Sequence, residues 1–305
     1  MDIPKISVIT PSLNQGRYLK QCIESILSQD YSNLELIIID GGSTDESIDV
    51  IKKFEKNITF WVSEPDGGQS DAINKGFQRA SGDLVAWLNA DDYYLPGAFQ
   101  NVVKAYSINQ KAPFYFGDGL RVDETGSVIS PFFPSGTLYF DRQALVMGLN
   151  YILQPSTFIS RSSLELAGNL DTNLHYGMDS DLWMRLSKFG EPCTIPATLS
   201  ASREYAETKT ASGSFKRIEE LRRISMKHSG LEMTPGVLCY MLDTLYRFAQ
   251  QHDEVFPDSY LSDISAFWKK TGQLLQVANA RPDGFPRSPK DLASTKSRKK
   301  IGFWR

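Results

Sequence analysis

Over its first 120 residues the chain alternates between two patterns: short β-branched runs that end in small or polar residues, and segments with helical apolar spacing. That alternation is the signature of repeated βαβ units. It predicts a Rossmann-like α/β architecture on a mostly parallel sheet flanked by helices. Ile6 to Thr10 reads as the first strand, and Leu19, Cys22, Ile23, Ile26 and Leu27 then recur on one helical face. Leu34 to Ile39 is a near-continuous apolar run, as expected of a strand buried on both sides. Ser43 or Thr44 suits the cap of the next helix, which carries Ile48, Ile51 and Phe54. Ile58 to Val62 is the third strand, Asp71 to Ala80 a helix stopped by Ser81-Gly82, and Leu84 to Leu88 the fourth strand. Pro96 suits the first turn of a helix holding Phe99, Val102 and Val103.

Beyond this the pattern weakens. Phe114 to Gln154 is richer in Gly, Pro and aromatics and reads as short strands and loops over one end of the sheet. A helix is expected over 179–189, a charged helix over 214–228, and one or two more over 236–278. From Arg281 three prolines in nine residues precede Lys296, Arg298, Lys299 and Lys300, an extended basic tail. Its bland reading is a solvated segment. Its sharper one is peripheral membrane contact, since Ile301, Phe303 and Trp304 add interfacial anchors to the charge.

Bulk properties exclude several classes. A net charge of −3 does not suit a polyanion binder, so no nucleic-acid partner is expected. Cys22, Cys193 and Cys239 are scattered and odd in number, and His175, His228 and His252 have no ligand spacing. Neither a disulfide framework nor a zinc site is expected, and a reducing compartment is. No apolar run reaches about 18 residues, and Met1 to Ile6 has no leader-like pattern. The expected location is cytoplasmic, with any membrane contact peripheral and at the inner face.

In open parallel sheets ligands bind beyond the carboxyl ends of the strands. Polar segments fall there after each of the four strands: Thr10-Pro11-Ser12, Asp40 to Ser43, Glu64 to Gly68, and Asn89-Ala90-Asp91-Asp92. Asp40 suits a turn or cap as well as a carboxylate that accepts hydrogen bonds from a base or ribose. Asp91 and Asp92 suit an N-cap pair, or a hard divalent cation between two carboxylates that would otherwise repel. With no GxGxxG and no GxxxxGK[ST], the phosphates of a nucleotide have no glycine cradle and a metal would take that task. Asp179 and Asp181 suit helix caps, or a catalytic base and its support. Trp183 suits the core better than a sugar platform.

The segments VITPSLNQGRYLKQCIESILSQDYSNLELIIIDGGSTD, SEPDGGQSDAINKGFQRASGDLVAWLNADDYYLPGA and YGMDSDLWMRL resemble, in order and interval, the family 2 glycosyltransferases of GT-A fold, in particular WcaA-like bacterial envelope enzymes. The resemblance covers about residues 3 to 190. It implies a GT-A domain over 1–210, with a nucleotide-binding half (1–110) and an acceptor-binding half (111–210), then a C-terminal helical extension (211–280) and the basic tail (281–305). It implies that Thr10, Pro11, Ser12 and Asp40 hold base and ribose, and that Gln69, Asp71 and Lys75 line the base and diphosphate region. Asn89-Ala90-Asp91 stands at the DxD position, with Asn89 on the nucleotide and Asp91, aided by Asp92, as ligand to Mn²⁺ or Mg²⁺. Asp179 stands at the general base of the Glu-Asp motif, and Gln154, His175, Tyr176 and Asp181 lie on the acceptor side. The implied partners are a nucleotide-sugar donor, UDP-linked by default, and a glycan or lipid-linked acceptor. The implied reaction is a single inverting, non-processive transfer, since no QxxRW follows.

Two positions depart from the family pattern. Asn89 replaces the first Asp of DxD, and Met178 replaces the Glu before Asp179. They keep open a non-catalytic nucleotide- or glycan-binding homologue. A sugar nucleotidyltransferase would need a glycine-rich basic loop after the first strand, where PSLNQGRYL has one Gly.

Overall fold

The structure, a computed structural model, describes residues 3–133, 138–205, 208, 214–251, 262 and 266. It divides into two compact units. One comprises 1–140 with 152–205, the other 141–151 with 206–305.

The first unit carries, among the described residues, a nine-stranded sheet ordered β3-β2-β1-β4-β8-β6-β9-β5, with β7 on β6. Its chain order is β1 (Ile6–Ser12), α1 (Gly16–Leu27), β2 (Leu34–Asp40), α2 (Ser47–Phe54), β3 (Phe60–Ser63), α3 (Gln69–Arg79), β4 (Leu84–Trp87), β5 (Tyr93–Tyr94), α4 (Ala98–Ile108), β6 (Phe114–Val122) and β7 (Val128–Pro131). After α5 (Arg142–Val146), which belongs to the second unit, it continues with β8 (Thr157–Ser160), α6 (Arg161–Ala167), α7 (Met178–Leu186) and β9 (Cys193–Arg203).

The expected parallel sheet is found in β3-β2-β1-β4. Past β4 the sheet is mixed: β8 is antiparallel to both β4 and β6, β9 is parallel to β6, and β5 is antiparallel to β9. The reason is connectivity. A helix crosses over between each of the first four strands in sequence, whereas the chain after β6 turns straight back along β7. Phe114 to Gln154, expected as short strands and loops over one end of the sheet, does hold strands, but they are part of the sheet itself. It supplies a nine-residue strand that lies between β8 and β9.

Several ends differ from the sequence reading. Ser43 and Thr44 do not cap α2. The N-cap is Glu46, without a side-chain cap bond, and Asp45 just before it links the heads of α2 and α1 by accepting from Ser47 N (3.0 Å) and Gly16 N (2.9 Å), while the Ser43 hydroxyl turns back to Asp40. A 3₁₀ turn at Glu55–Asn57 delays β3 to Phe60. α3 opens at Gln69 because Gly68, at φ 102°, makes the turn into it.

One face of the parallel half packs Ile6, Val8, Leu36, Ile38, Leu84 and Ala86 against α1 and α4. On the other, Trp183 of α7 stacks on Trp87 of β4 and on Phe114 of β6, with ring centroids 5.5 Å apart in both pairs. Trp183 is fully buried, which assigns it to the core. Behind β1 and β2, Glu35 is buried yet ionised. Burial opposes its charge, but hydrogen bonds from Ser7, Ser81 and Lys5 overcome that and hold its pKa at about 2.

In the second unit Asp141 caps α5 through Gln143 N and Ala144 N. α8 (Ser214–Ser229) ends at Gly230, φ 74°, and α9 (Pro235–Gln251) follows. The expected helices therefore occur over 214–229 and 235–251. Most of 252–280 and all of the basic tail, 281–305, lie outside the described residues. Among those described, no helix is long and apolar enough to cross a membrane.

Candidate active site

The parallel strands share a direction, so their carboxyl ends form one edge. Ser12, Asp40 and Ser63 stand side by side on it in register. β1 runs to Ser12, which places Thr10 and Pro11 within the strand rather than after it. Thr10 Oγ1 and Ser12 Oγ are buried and, among the described residues, have no hydrogen-bond partner. Such orphaned hydroxyls at a sheet edge are groups a bound polar ligand can satisfy.

Asp40 is fully buried and accepts from Gly42 N (3.1 Å), Ser43 N (2.8 Å), Ser43 Oγ (2.6 Å) and Ser63 Oγ (2.7 Å). Its carboxylate organises the turn after β2 and ties it to β3. At the head of α3 the Asp71 carboxylate accepts from Gly67 N (3.0 Å), and Lys75 lies 3.1 Å from Glu64 and 3.6 Å from Asp71. The Glu64 hydrogen bond pushes the Lys75 pKa up, so the ammonium persists.

Asn89 is a junction. Its Oδ1 accepts from Gln69 Nε2 (2.7 Å), and its Nδ2 donates to Gln154 Oε1 and to Asp92 Oδ2, both at 3.3 Å. Gln154 in turn donates to the Trp87 carbonyl at 2.7 Å. The structure thus brings Gln69, Asn89, Asp92 and Gln154 together. It draws Gln154, expected on the acceptor side, into the strand-end network.

The adjacent carboxylates turn to different partners. Asp92 is buried at 1% exposure and accepts from Arg203 N (2.9 Å) and Ser202 Oγ (3.1 Å) of β9. Asp91 is half-buried and accepts from the Tyr205 hydroxyl at 2.9 Å. Donors on β9 and just after it thus reach both carboxylates, and the Asp92 side chain ties the strand-end turn to β9. Burial, and then the charge of Asp91, push the Tyr205 pKa up, so it remains a phenol that donates. Arg203 lies beneath at 2% exposure, its guanidinium bonded to the Asp91 carbonyl (2.9 Å), Gln21 (2.7 Å) and the Glu124 carbonyl (3.0 Å). Sequence reasoning missed Arg203 and Tyr205. The signal that could have found them is the adjacent Asp91-Asp92 pair, whose repulsion donors from elsewhere in the chain can relieve as well as a cation can.

α3 also anchors the other side. Asn74 bonds both ways with Leu170, through Nδ2 to its carbonyl and Oδ1 from its amide, each at 2.9 Å. Ser70 Oγ reaches Met178 Sδ at 2.8 Å. Met178 is buried against α3, which accounts for an apolar residue where the family pattern has a glutamate. Asp179 follows on the first turn of α7, half-buried, with Ser180 N on its Oδ1 at 2.7 Å. Asp181 faces away from that role: it is fully buried and paired with Arg185 at 2.8 Å. Arg185 also binds the carbonyls of Ala167 and Gly168, so Asp181 fastens the loop after α6. His175 is exposed, Tyr176 is half-buried, and the two rings pack edge-to-face at 4.7 Å.

Among the described residues no group of three or more His, Cys, Asp or Glu side chains could hold a metal ion. Mg²⁺ and Mn²⁺ bound together with a diphosphate need one or two carboxylates, the substrate supplying further oxygens. Asp91, accessible and held by one phenol, fits that donor set.

The sequence profile of Glycosyl transferase family 2 matches residues 7–161, half of the chain. An uncharacterized glycosyltransferase of Mycobacterium tuberculosis is 29% identical over 228 residues, covering 72% of this chain and 85% of that protein. One from Rickettsia typhi is 25% identical over 291 residues, covering 92% and 85%. Among solved structures, S. aureus TarS 1-349 in complex with UDP-GlcNAc superposes with a TM-score of 0.61 at 15% identity, covering 88% of this chain and 81% of that one. Mannosyltransferase PcManGT from Pyrobaculum calidifontis, in complex with GDP-Man and Mn²⁺, gives 0.58 at 14%, covering 92% and 78%. At these identities the two structures speak for the GT-A-like fold.

Proposed function

Since the chain belongs to glycosyl transferase family 2 and is a glycosyltransferase, we propose that it makes a single, inverting transfer of a sugar from a nucleoside-diphosphate sugar, UDP-linked first, to a hydroxyl of a glycan or lipid-linked acceptor of the cell envelope. The observation that carries this reading is the division of labour at the strand ends. Asp92 is bonded into β9, whereas Asp91 and Asp179 are half-buried and follow Asn89 and Met178, the residues bonded to Gln69 and Ser70 in the first turn of α3.

In this reading the base and ribose lie along the ends of β1 and β2, at Thr10, Pro11, Ser12 and Asp40, and the unsatisfied Thr10 and Ser12 hydroxyls favour a polar ligand there. Gln69, Asp71 and Lys75 border the diphosphate, where the Lys75 charge offsets the phosphates. Asp179 takes the proton of the acceptor hydroxyl as the new bond to the anomeric carbon forms and the bond to the diphosphate oxygen breaks. A divalent ion held by Asp91 would supply Lewis-acid stabilisation of the leaving diphosphate. Gln154, His175 and Tyr176 border the acceptor. The expected setting is the cytoplasm, with the basic, aromatic tail at 296–304 touching anionic membrane.

Donor hydrolysis tests the reading. Purified protein is given UDP- and GDP-sugars with Mn²⁺, Mg²⁺ or EDTA, beside Asp91→Ala and Asp179→Ala. Metal-dependent release of one nucleoside diphosphate, lost in Asp91→Ala, is the expected result. Nucleotide binding without any release, even with a panel of glycan acceptors, would instead favour the non-catalytic homologue that Asn89 and Met178 keep open.

A further inference from the structure

One further carboxylate on this sheet, Asp118 of β6, has no role so far. Ile159 of β8 faces Val85 of β4 on one side and Phe114 of β6 on the other. β4 and β6 therefore run in step, and four residues further along each chain Asp118 comes level with Asn89. Two strand spacings, about 10 Å, separate them. Side chains two and four residues apart share a face of a strand. Phe114 stacks on Trp183, so Asp118 lies on the face covered by α7, the helix that carries Asp179.

The local backbone is built to hold that side chain still. Register shifts on both sides of Asp118 place extra residues of β9, including Pro196, opposite it, an irregularity of the kind that aims a side chain. Gly117 and Gly119 flank it. A Cβ on Gly117 would meet the Leu199 side chain at 2.6 Å, and one on Gly119 would collide with Leu153 and lie 2.9 Å from the Ser200 carbonyl. Ser156 Oγ donates to the Asp118 carbonyl at 2.8 Å, and Ser156 shares its 3₁₀ turn with Gln154, the partner of Asn89. Asp118 Oδ1 accepts from Gly119 N (2.8 Å) and Phe133 N (3.0 Å), while Oδ2, among the described residues, has no hydrogen-bond partner. The carboxylate is half-buried, and burial pushes its pKa up.

Resting on the transfer reading above, we propose that Asp118 binds the sugar of the nucleotide-sugar donor, accepting hydrogen bonds from its ring hydroxyls on Oδ2. The strand order gives the direction: nucleoside at β2 and β1, diphosphate at β4, and beyond β4 the next groups on the edge are Gln154 before β8 and Asp118 on β6. The pyranose of a donor laid along that edge falls between Asn89 and Asp118, under α7.

The test compares sugar nucleotide with bare nucleotide. Wild type, Asp118→Asn and Asp118→Ala are titrated calorimetrically, with Mn²⁺, against UDP-GlcNAc, UDP-glucose, UDP-galactose and GDP-mannose, and against UDP and GDP. Asn retains an Oδ1 for Gly119 N and Phe133 N, so its Tm should match wild type. The expected result for Asp118→Asn is unchanged affinity for the nucleoside diphosphate and affinity for the sugar nucleotide weakened about fivefold or more, since only the charged acceptor is lost. An unchanged ratio of the two affinities in a folded Asp118→Asn protein overturns the assignment alone, as does parallel weakening of both. A wild type that binds no sugar nucleotide overturns the transfer reading and this assignment with it.

Discussion

The two halves of the sheet are held by different kinds of contact. In β3-β2-β1-β4 each strand is reached by a short helical crossover, and the residues that shape its edge are near in sequence, as with Asp40 and Ser43. In β8-β6-β9-β5 the decisive contacts are remote: Arg203 N to Asp92, the Tyr205 hydroxyl to Asp91, Asn89 Nδ2 to Gln154. The candidate site lies where the two meet, so local pattern builds half of it and long-range closure builds the other.

The sharpest way to break the comparison is at the shared joint. Trp183→Ala removes the ring that stacks on both Trp87 and Phe114. It should cost about 3–5 kcal/mol in chemical denaturation, and a much smaller loss would mean the halves are joined elsewhere.

Next in size is a contrast between neighbours. Asp91→Ala should lower donor turnover about 100-fold or more while leaving Tm near wild type. Asp92→Ala should destabilise by about 1–3 kcal/mol, because Arg203 N and Ser202 Oγ lose a buried acceptor. Equal effects of the two on Tm would show that the carboxylates are not divided as described.

The parallel half has an acid-sensitive staple of its own. Glu35 has a folded pKa of about 2 against an ordinary 4.5. Its contribution is therefore complete above pH 4.5 and is lost as pH falls toward 2, a change of about 2–3 kcal/mol. Stability measured from pH 6 to pH 2.5 should fall less steeply in Glu35→Gln than in wild type. An identical slope would rule the staple out.

The smallest effect sharpens the remote half. Tyr205→Phe removes one hydroxyl from Asp91 and should cost about 1 kcal/mol of stability. It should also raise the Mn²⁺ concentration needed for half-maximal hydrolysis several-fold, since Asp91 would lose the phenol that orients its carboxylate. No shift in the Mn²⁺ requirement would separate Asp91 from the metal.

What the sequence made legible follows the same division. Strands β1 to β4 and helices α1 and α3 were readable because their apolar periods are local, and the polar residues at their ends fall on one edge. The mixed half was not, for reasons visible in particular residues. β6 hides its alternation behind Gly117 and Gly119, and β9 carries Pro196, which pattern reading counts against a strand. Gln154 reads from the sequence as an acceptor-side residue and not as the partner of Asn89, because the 3₁₀ turn that aims it has no distinctive spacing. Asp181 looks like Asp179 in the sequence, and what separates them is Arg185 one turn on.

The buried Arg203 also sets an order of events. Its guanidinium ties the Asp91 carbonyl to Gln21, partners 112 and 182 positions earlier in the chain. Contacts so distant close late, because their loop entropy is lost before they return any stabilisation. As the chain emerges from the ribosome, the first four strands can pair as soon as they are made. Until β9 and Tyr205 follow, however, Asp92 lacks its donors Ser202 Oγ and Arg203 N, and Asp91 lacks its phenol. The edge proposed to hold the nucleotide should therefore fold early, and competence for the proposed transfer should arrive only with β9.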